Sequence, residues 1–188
     1  MRVAIIGLGL IGGSLGLALK AAGVEVAGYA RRSETASAAL ARGVVDRCGS
    51  DMQSAIKGAD IIVIATPVLT VKDVFVEIAV HLPKSAIVTD VASTKAEVMK
   101  WAREYLPAKA CFIGGHPMAG KEASGIAAAD ADLFRGCTYC LFPGSSVKPG
   151  QRRQMEDMVK AVGAKPFYID AQEHDEIVAA VSHLPHLL

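Results

Sequence analysis

Aromatic residues are scarce in this 188-residue chain, 5% of positions with a single tryptophan, so it offers few flat platforms on which bases could stack. An excess of charge of either sign is lacking too: 20 Lys and Arg stand against 19 Asp and Glu, a formal net charge of +1. No basic stripe or acidic block runs along the chain, which excludes the electrostatic footprint of a generic nucleic-acid or anionic-membrane binder. Four cysteines, Cys48, Cys111, Cys137 and Cys140, are too few for a disulfide framework in a chain of this size and fit a reduced, cytoplasmic setting. Internal repeats and low-complexity linkers are missing. With 52% hydrophobic and 21% charged positions, disorder, collagen and coiled coil are excluded. What is left is a globular chain whose expected partners are small molecules, with no nucleic acid and no membrane.

Two segments imitate something else. Cys137 and Cys140 form a CxxC, but no second pair matches it and the run Thr138 to Phe142 reads as a strand, so two strand residues are favoured over a zinc or redox site. No metal is expected. The stretch from Val3 to Leu19 is apolar or glycine and follows Arg2, like a signal peptide or a short membrane span. Its five glycines weaken a spanning helix, and it falls short of the ~20 residues a span needs.

Strand-like and helix-like runs alternate, the pattern of βαβ units. Strands are predicted at Arg2 to Ile6, Val24 to Tyr29, Asp60 to Ala65, Ser85 to Thr89, Ala110 to Gly114, Thr138 to Phe142 and Lys165 to Ile169. Helices are predicted at Ile11 to Ala22, Ser33 to Arg42, Met52 to Lys57, Val71 to His81, Lys95 to Tyr105 and Gly150 to Val162, with a last one starting near Ala171. Runs such as Ile-Ile-Val-Ile are continuously apolar, as in strands buried on both faces. The expected fold is α/β, a doubly wound, mostly parallel Rossmann-type sheet with helices on both faces.

The first chemical motif is Gly7-Leu8-Gly9-Leu10-Ile11-Gly12. It follows a strand and opens a helix, the context that the dinucleotide fingerprint requires; a glycine-rich turn without a ligand is the alternative. Gly7 allows the tight turn, Gly9 lets backbone approach a pyrophosphate, Gly12 permits close helix packing, and the helix N-terminus supplies N–H donors. An NAD site places an acid at the end of the second strand to hold the ribose 2′-hydroxyl. Here Ala30 stands at that point, followed by Arg31, Arg32 and Ser33. Guanidinium groups beside a hydroxyl suit a 2′-phosphate, so NADP is predicted over NAD, against solvated loop charges as the alternative.

Three further segments carry side chains suited to catalysis. In Gly114-Gly115-His116-Pro117-Met118-Ala119-Gly120 a histidine follows a strand at the ligand-binding edge of an open sheet. Val88-Thr89-Asp90-Val91-Ala92-Ser93-Thr94-Lys95 leaves a strand and enters a helix, placing hydroxyls and a lysine on the same edge, with Ser93 as a helix N-cap in the alternative. In Glu173-His174-Asp175 and Ser182-His183-Leu184-Pro185-His186, helical spacing puts His174, Ser182 and His186 within about a third of the circumference. Metal binding is disfavoured there, because no HExxH spacing or cysteine partner is present.

Together these residues resemble the prephenate and arogenate dehydrogenase family of tyrosine biosynthesis. The resemblance runs from GLGLIGGSLGLALK through ATPV, VTDVASTK and GGHPMAGKEASG to HDEIVAAVSHLPH, nearly the whole chain. It implies that His116 is the catalytic group, that Ser93 hydrogen-bonds it near the nicotinamide, and that Ala65, Thr66 and Pro67 touch the cofactor. It implies substrate-side roles for His174, Ser182 and His186 and a gating role for Glu122. The implied reaction is oxidative decarboxylation of prephenate or arogenate with hydride transfer to NADP, with prephenate slightly favoured. Rival readings are another NADP-dependent hydroxy-acid or imine reductase of the same plan, and a non-catalytic nucleotide-binding module.

The family continues past SHLPH into an all-helical domain that supplies the dimer interface and a substrate-binding arginine. The expected division here is a cofactor domain over 1–170 and the start of a truncated helical domain over 171–188. On that reading the chain binds NADP, turns over poorly or not at all alone, and lacks the main interface of the family's homodimer.

Overall fold

Apolar runs such as Val3-Ala4-Ile5-Ile6 and Ile61-Ile62-Val63-Ile64 bury side chains alternately up and down, so they need a covering layer on each face. The computed structural model, which describes residues 1–180, supplies both. Its strands are β1 (Arg2–Ile6), β2 (Glu25–Tyr29), β3 (Arg47–Cys48), β4 (Ile61–Ile64), β5 (Ile87–Asp90), β6 (Cys111–Pro117), β7 (Thr138–Pro143) and β8 (Lys165–Tyr168). The helices are α1 (Leu10–Ala21), α2 (Ser33–Ala41), α3 (Met52–Ile56), α4 (Val71–Ala79), α5 (Ala96–Tyr105), α6 (Pro149–Ala161) and α7 (Ala171–Val178).

Sheet order is β3-β2-β1-β4-β5-β6-β7-β8. All neighbours are parallel except β6 and β7, which run antiparallel. The chain thus forms the expected doubly wound sheet, with the strand order reversing between β1 and β4. Ligands of such sheets lie outside the carboxyl ends of the strands at that reversal.

Alternation sorts the core into two layers. Val3, Ile5, Ile61 and Val63 pack with Leu15 and Leu19 of α1 and Met155, Met158 and Val159 of α6. Ala4, Ile6, Ile62 and Ile64 face the other way, against Val74, Phe75 and Ile78 of α4 and Val98 and Met99 of α5. The apolar N-terminal stretch is therefore split between β1 and α1, and among the described residues no helix is long and apolar enough to cross a membrane.

The structure departs from the sequence reading at β3 and at the end of β6, and it decides the alternative left open for Ser93. β3 was not predicted, because two residues carry no periodicity. The strand expected to stop at Gly114 runs on through His116 to Pro117, because antiparallel β7 pairs it there, with His116 opposite Cys140. His116 is thus held in a ladder and does not sit in a loop. Helix α5 starts at Ala96 with Lys95 as its N-cap, so Ser93 is not the capping residue.

Phe75 is fully buried and meets Phe112 edge-on, ring centroids 5.3 Å apart. Phe75→Ala is expected to lower unfolding free energy by about 3–5 kcal/mol through loss of buried area and an unfilled cavity. Urea titration followed by circular dichroism measures it.

Candidate active site

The turn from β1 into α1 is closed by geometry that only glycine meets. Gly7 takes φ +97°, and a Cβ there would sit 2.7 Å from the Ala65 carbonyl oxygen. A Cβ on Gly12 would overlap the Gly7 carbonyl oxygen. Helix α1 therefore starts tight against the ends of β1 and β4. At Gly9, by contrast, an added Cβ would meet nothing within 4 Å, so the backbone there faces open space. Gly9 is the N-cap of α1, no side chain caps it, and the first turn holds no acidic residue. The leading N–H groups and the positive end of the helix dipole are left for an anion.

Ala65-Thr66-Pro67 follows β4 directly beside this turn. The Thr66 hydroxyl oxygen is buried without a hydrogen-bond partner. Such an atom is costly unless a ligand or water completes it. At the end of β2, Ala30 is half-buried, while Arg31, Arg32 and Ser33 are exposed at the start of α2, with Arg32 as its N-cap. Open backbone at a helix N-terminus and an orphaned hydroxyl beside it fit a dinucleotide, and two exposed guanidinium groups stand at the end of the second strand.

Two strands further along, the same sheet edge carries a buried polar cluster. Asp90 ends β5 with no exposure and pairs with Lys95, also fully buried. The second carboxylate oxygen of Asp90 accepts from Gly115 N–H at 3.1 Å, and Lys95 Nζ donates to the Gly115 carbonyl at 2.8 Å. Burial pulls the Lys95 ammonium below the ordinary lysine range, and the Asp90 carboxylate opposes that shift. Gly115 has no room for a side chain, since a Cβ would sit 2.6 Å from the Asp90 carbonyl oxygen. The residue before His116 is therefore clamped on both its backbone groups.

The His116 ring is clamped as well. Its Nδ1 lies 2.9 Å from His174 Nε2, the rings meeting edge to face at 87°. His174 is 2% exposed, packs edge-on against Phe142, and places Nδ1 2.9 Å from Asp175 Oδ1. Both nitrogens of His174 are thus engaged by side chains, one by His116 and the other by Asp175. Asp175 also accepts from Lys95 N–H and Ala96 N–H at 2.8 Å each, capping α5 from a neighbouring helix. Burial alone would raise its carboxyl, but hydrogen bonds from Ala96 N–H, His174 and Lys95 N–H hold it below the usual carboxylate range.

Other expected residues are less engaged. Ser93 is exposed on the loop leaving β5, and Glu122 is exposed on the loop after β6. Ser182 and His186 lie outside the described residues. Cys137 packs with one core layer and Cys140 with the other, so the CxxC pair does not converge on one face. A groove of about 400 Å³ between α5 and the β6–β7 pair includes none of His116, Ser93 or the glycine turn. Asp90 and Asp175 had been given no role from sequence. Their signal was an acid at a strand end and an acid beside a histidine, and neither has a diagnostic spacing.

Residues 15–168 match a family model described as the nucleotide-binding domain of prephenate dehydrogenase. The chain is 37% identical over 189 residues to a prephenate dehydrogenase of Bacillus subtilis, covering 99% of this chain and 51% of that one. It spans about half the length of the curated relatives it matches. Among solved structures, a Synechocystis arogenate dehydrogenase has TM-score 0.92 at 35% identity, covering 100% of this chain and 66% of that one. A prephenate dehydrogenase from A. aeolicus, in complex with hydroxyphenyl propionate and NAD+, has TM-score 0.90 at 28% identity, with coverage of 100% and 66%.

Removing one partner of a buried ion pair strands the other charge. Lys95→Met is expected to cost about 3–5 kcal/mol of stability. Urea titration measures it, and a loss under about 1 kcal/mol would show that Asp90 does not depend on the ammonium.

Proposed function

The chain belongs to the prephenate dehydrogenase family, whose nucleotide-binding domain it carries, and on that premise we propose that it binds NADP and presents His116 to a cyclohexadienol substrate. The observation that carries this reading is that the glycine turn and His116 stand on one sheet edge, with the His116 ring held by His174 at 2.9 Å. The substrate class is prephenate or its amino counterpart arogenate, with prephenate favoured. Assignment of residues 1–170 to the cofactor domain and 171–188 to a helical domain belongs to the same proposal. So does a cytoplasmic setting, which the four unpaired cysteines suit.

A nicotinamide bound at the glycine turn would supply the acceptor for the hydride that leaves C4 of the ring. Gly7, Gly9 and Gly12 admit the pyrophosphate to the start of α1, and Thr66 offers its hydroxyl beside it. Arg31, Arg32 and Ser33 take the 2′-phosphate through charge-assisted bonds in place of the acid of an NAD site. His116 accepts a hydrogen bond from the C4 hydroxyl, stabilising positive charge as C4 loses its hydride. The bond from the ring to its carboxylate then breaks, CO2 departs, and that electron pair completes the aromatic ring. The phenol oxygen keeps its proton, so the reaction releases none. Ser93 and Glu122 stand on the loops flanking this position.

Two outcomes test the reading. Replacing Arg31 and Arg32 by alanine is expected to weaken NADP about 10- to 100-fold, the equivalent of one lost charged hydrogen bond, and to change NAD little. Calorimetric titration with each cofactor decides this, and tighter NAD binding by the native chain would remove the NADP assignment. His116→Asn is expected to leave NADP affinity intact and lower kcat with prephenate by about 10²–10⁴-fold. Formation of NADPH, followed at its absorption band in the native and variant chains, measures the loss.

A further inference from the structure

The path from Asp175 through His174 to His116 has a direction that the distances alone do not state. Each neutral imidazole carries one proton, and its other nitrogen can only accept. A carboxylate can only accept as well, so the nitrogen of His174 facing Asp175 Oδ1 must be the protonated one, Nδ1. Nε2 of His174 then carries the lone pair and must receive a proton from its partner 2.9 Å away, His116 Nδ1. With its proton on Nδ1, His116 presents a lone pair at Nε2.

We propose that Asp175 and His174 are positioning residues that fix His116 in the Nδ1-protonated tautomer, the form whose Nε2 accepts a hydrogen bond from the substrate hydroxyl. This rests on the acceptor role given to His116 above. Asp175 stays an acceptor because its oxygens also receive Lys95 N–H and Ala96 N–H at the start of α5, where the helix dipole favours negative charge. The carboxylate that caps α5 is thus the one that sets the proton position two groups away. His174 is suited to transmit this because it is 2% exposed and Phe142 stands edge-on to its ring. Solvent has little access through which to supply a competing donor to its nitrogens. The backbone clamp on Gly115 and the ring clamp through His174 are independent: one holds where His116 is, the other which of its nitrogens carries the proton.

Asp175→Asn tests the direction without removing the cap. The α5 N–H groups demand an acceptor, so the new amide oxygen keeps that place and its NH2 faces His174. His174 must then accept at Nδ1, carry its proton on Nε2 and donate to His116 Nδ1, which leaves His116 protonated on Nε2. Long-range 1H–15N correlation spectra of the histidine-labelled 188-residue chain at pH 8 read each tautomer directly. The expected result is Nδ1–H at His116 in the native chain and Nε2–H in Asp175→Asn. A native His116 protonated on Nε2, or a variant that keeps Nδ1–H, overturns the proposal.

Should Asp175→Asn not fold, His174→Phe leaves the cap intact and removes the relay. His116 nitrogen shifts are then expected to move toward a mixture of tautomers, and unchanged shifts overturn the proposal. Where the chain turns over prephenate, Asp175→Asn is expected to lower kcat by up to about 10⁴-fold with KM little changed, as when a catalytic imidazole is held in its wrong tautomer. Turnover by the native chain is not needed to decide the relay, because the spectra read each tautomer without it.

Discussion

A carboxylate at the end of a fully buried strand has to be neutralised where it stands, and the geometry around Asp90 follows from that. Its two oxygens take the Lys95 ammonium, Gly115 N–H and Ala92 N–H, so one side chain joins β5, the loop leaving it and β6. Lys95 returns the link by donating to the Gly115 carbonyl. The register of β6 at its carboxyl end is therefore set by a buried charge as well as by ladder bonds, and His116 is the next residue along. Isolated buried ion pairs contribute little net stability compared with apolar packing. What this one supplies is position, at the point where a displacement of an ångström would matter to chemistry.

The two-layer core explains why such a cluster can persist. Helices α4 and α5 on one side and α1 and α6 on the other cover the central strands, and the functional groups collect at the carboxyl ends of those strands. β1, β4 and β5 are in direct parallel register, Ile6 beside Ile64 and Ile64 beside Asp90, so the residues just past them form one continuous edge. The glycine turn, Ala65-Thr66-Pro67 and the loop with Ser93 are neighbours by sheet order. Antiparallel β7 lets β6 extend farther than its parallel neighbours and carry His116 out along the same edge.

Most of this frame was legible in the sequence, because continuous apolar runs and glycine spacing report on local backbone needs. β1 is found where predicted, and the glycines at 7 and 12 stand where no Cβ would fit. The site was legible only as a collection of residue types. The strand was expected to stop at Gly114, yet Gly115 continues it and is small because Asp90 and Tyr139 leave it no room. Asp175 carried no role of its own in the segment Glu173-His174-Asp175, and its partners Lys95 and Ala96 lie 80 and 79 positions away. Pairings at that separation leave no period to detect. The placement of His174 behind His116 follows from the docking of α7 against α5, which no local pattern encodes.

Charge placement separates organising groups from binding groups. Lys95 is the lysine nearest in sequence to Ser93, and an anionic substrate would seem its natural partner. Yet it has no exposure and sits against Asp90, so at a distance the two appear as a dipole whose field falls off faster than that of a free ammonium. Asp175 is matched in the same way by the N-terminus of α5, and the pair of imidazoles stands between two carboxylates that are each locally balanced. Arg31 and Arg32 differ in kind. They are exposed, and among the described residues no ion pair engages either guanidinium. On this edge the buried charges hold geometry and the exposed ones remain available to a ligand. A substitution of Lys95 is therefore first a change in stability and, on the proposed reading, one of Arg31 or Arg32 first a change in affinity.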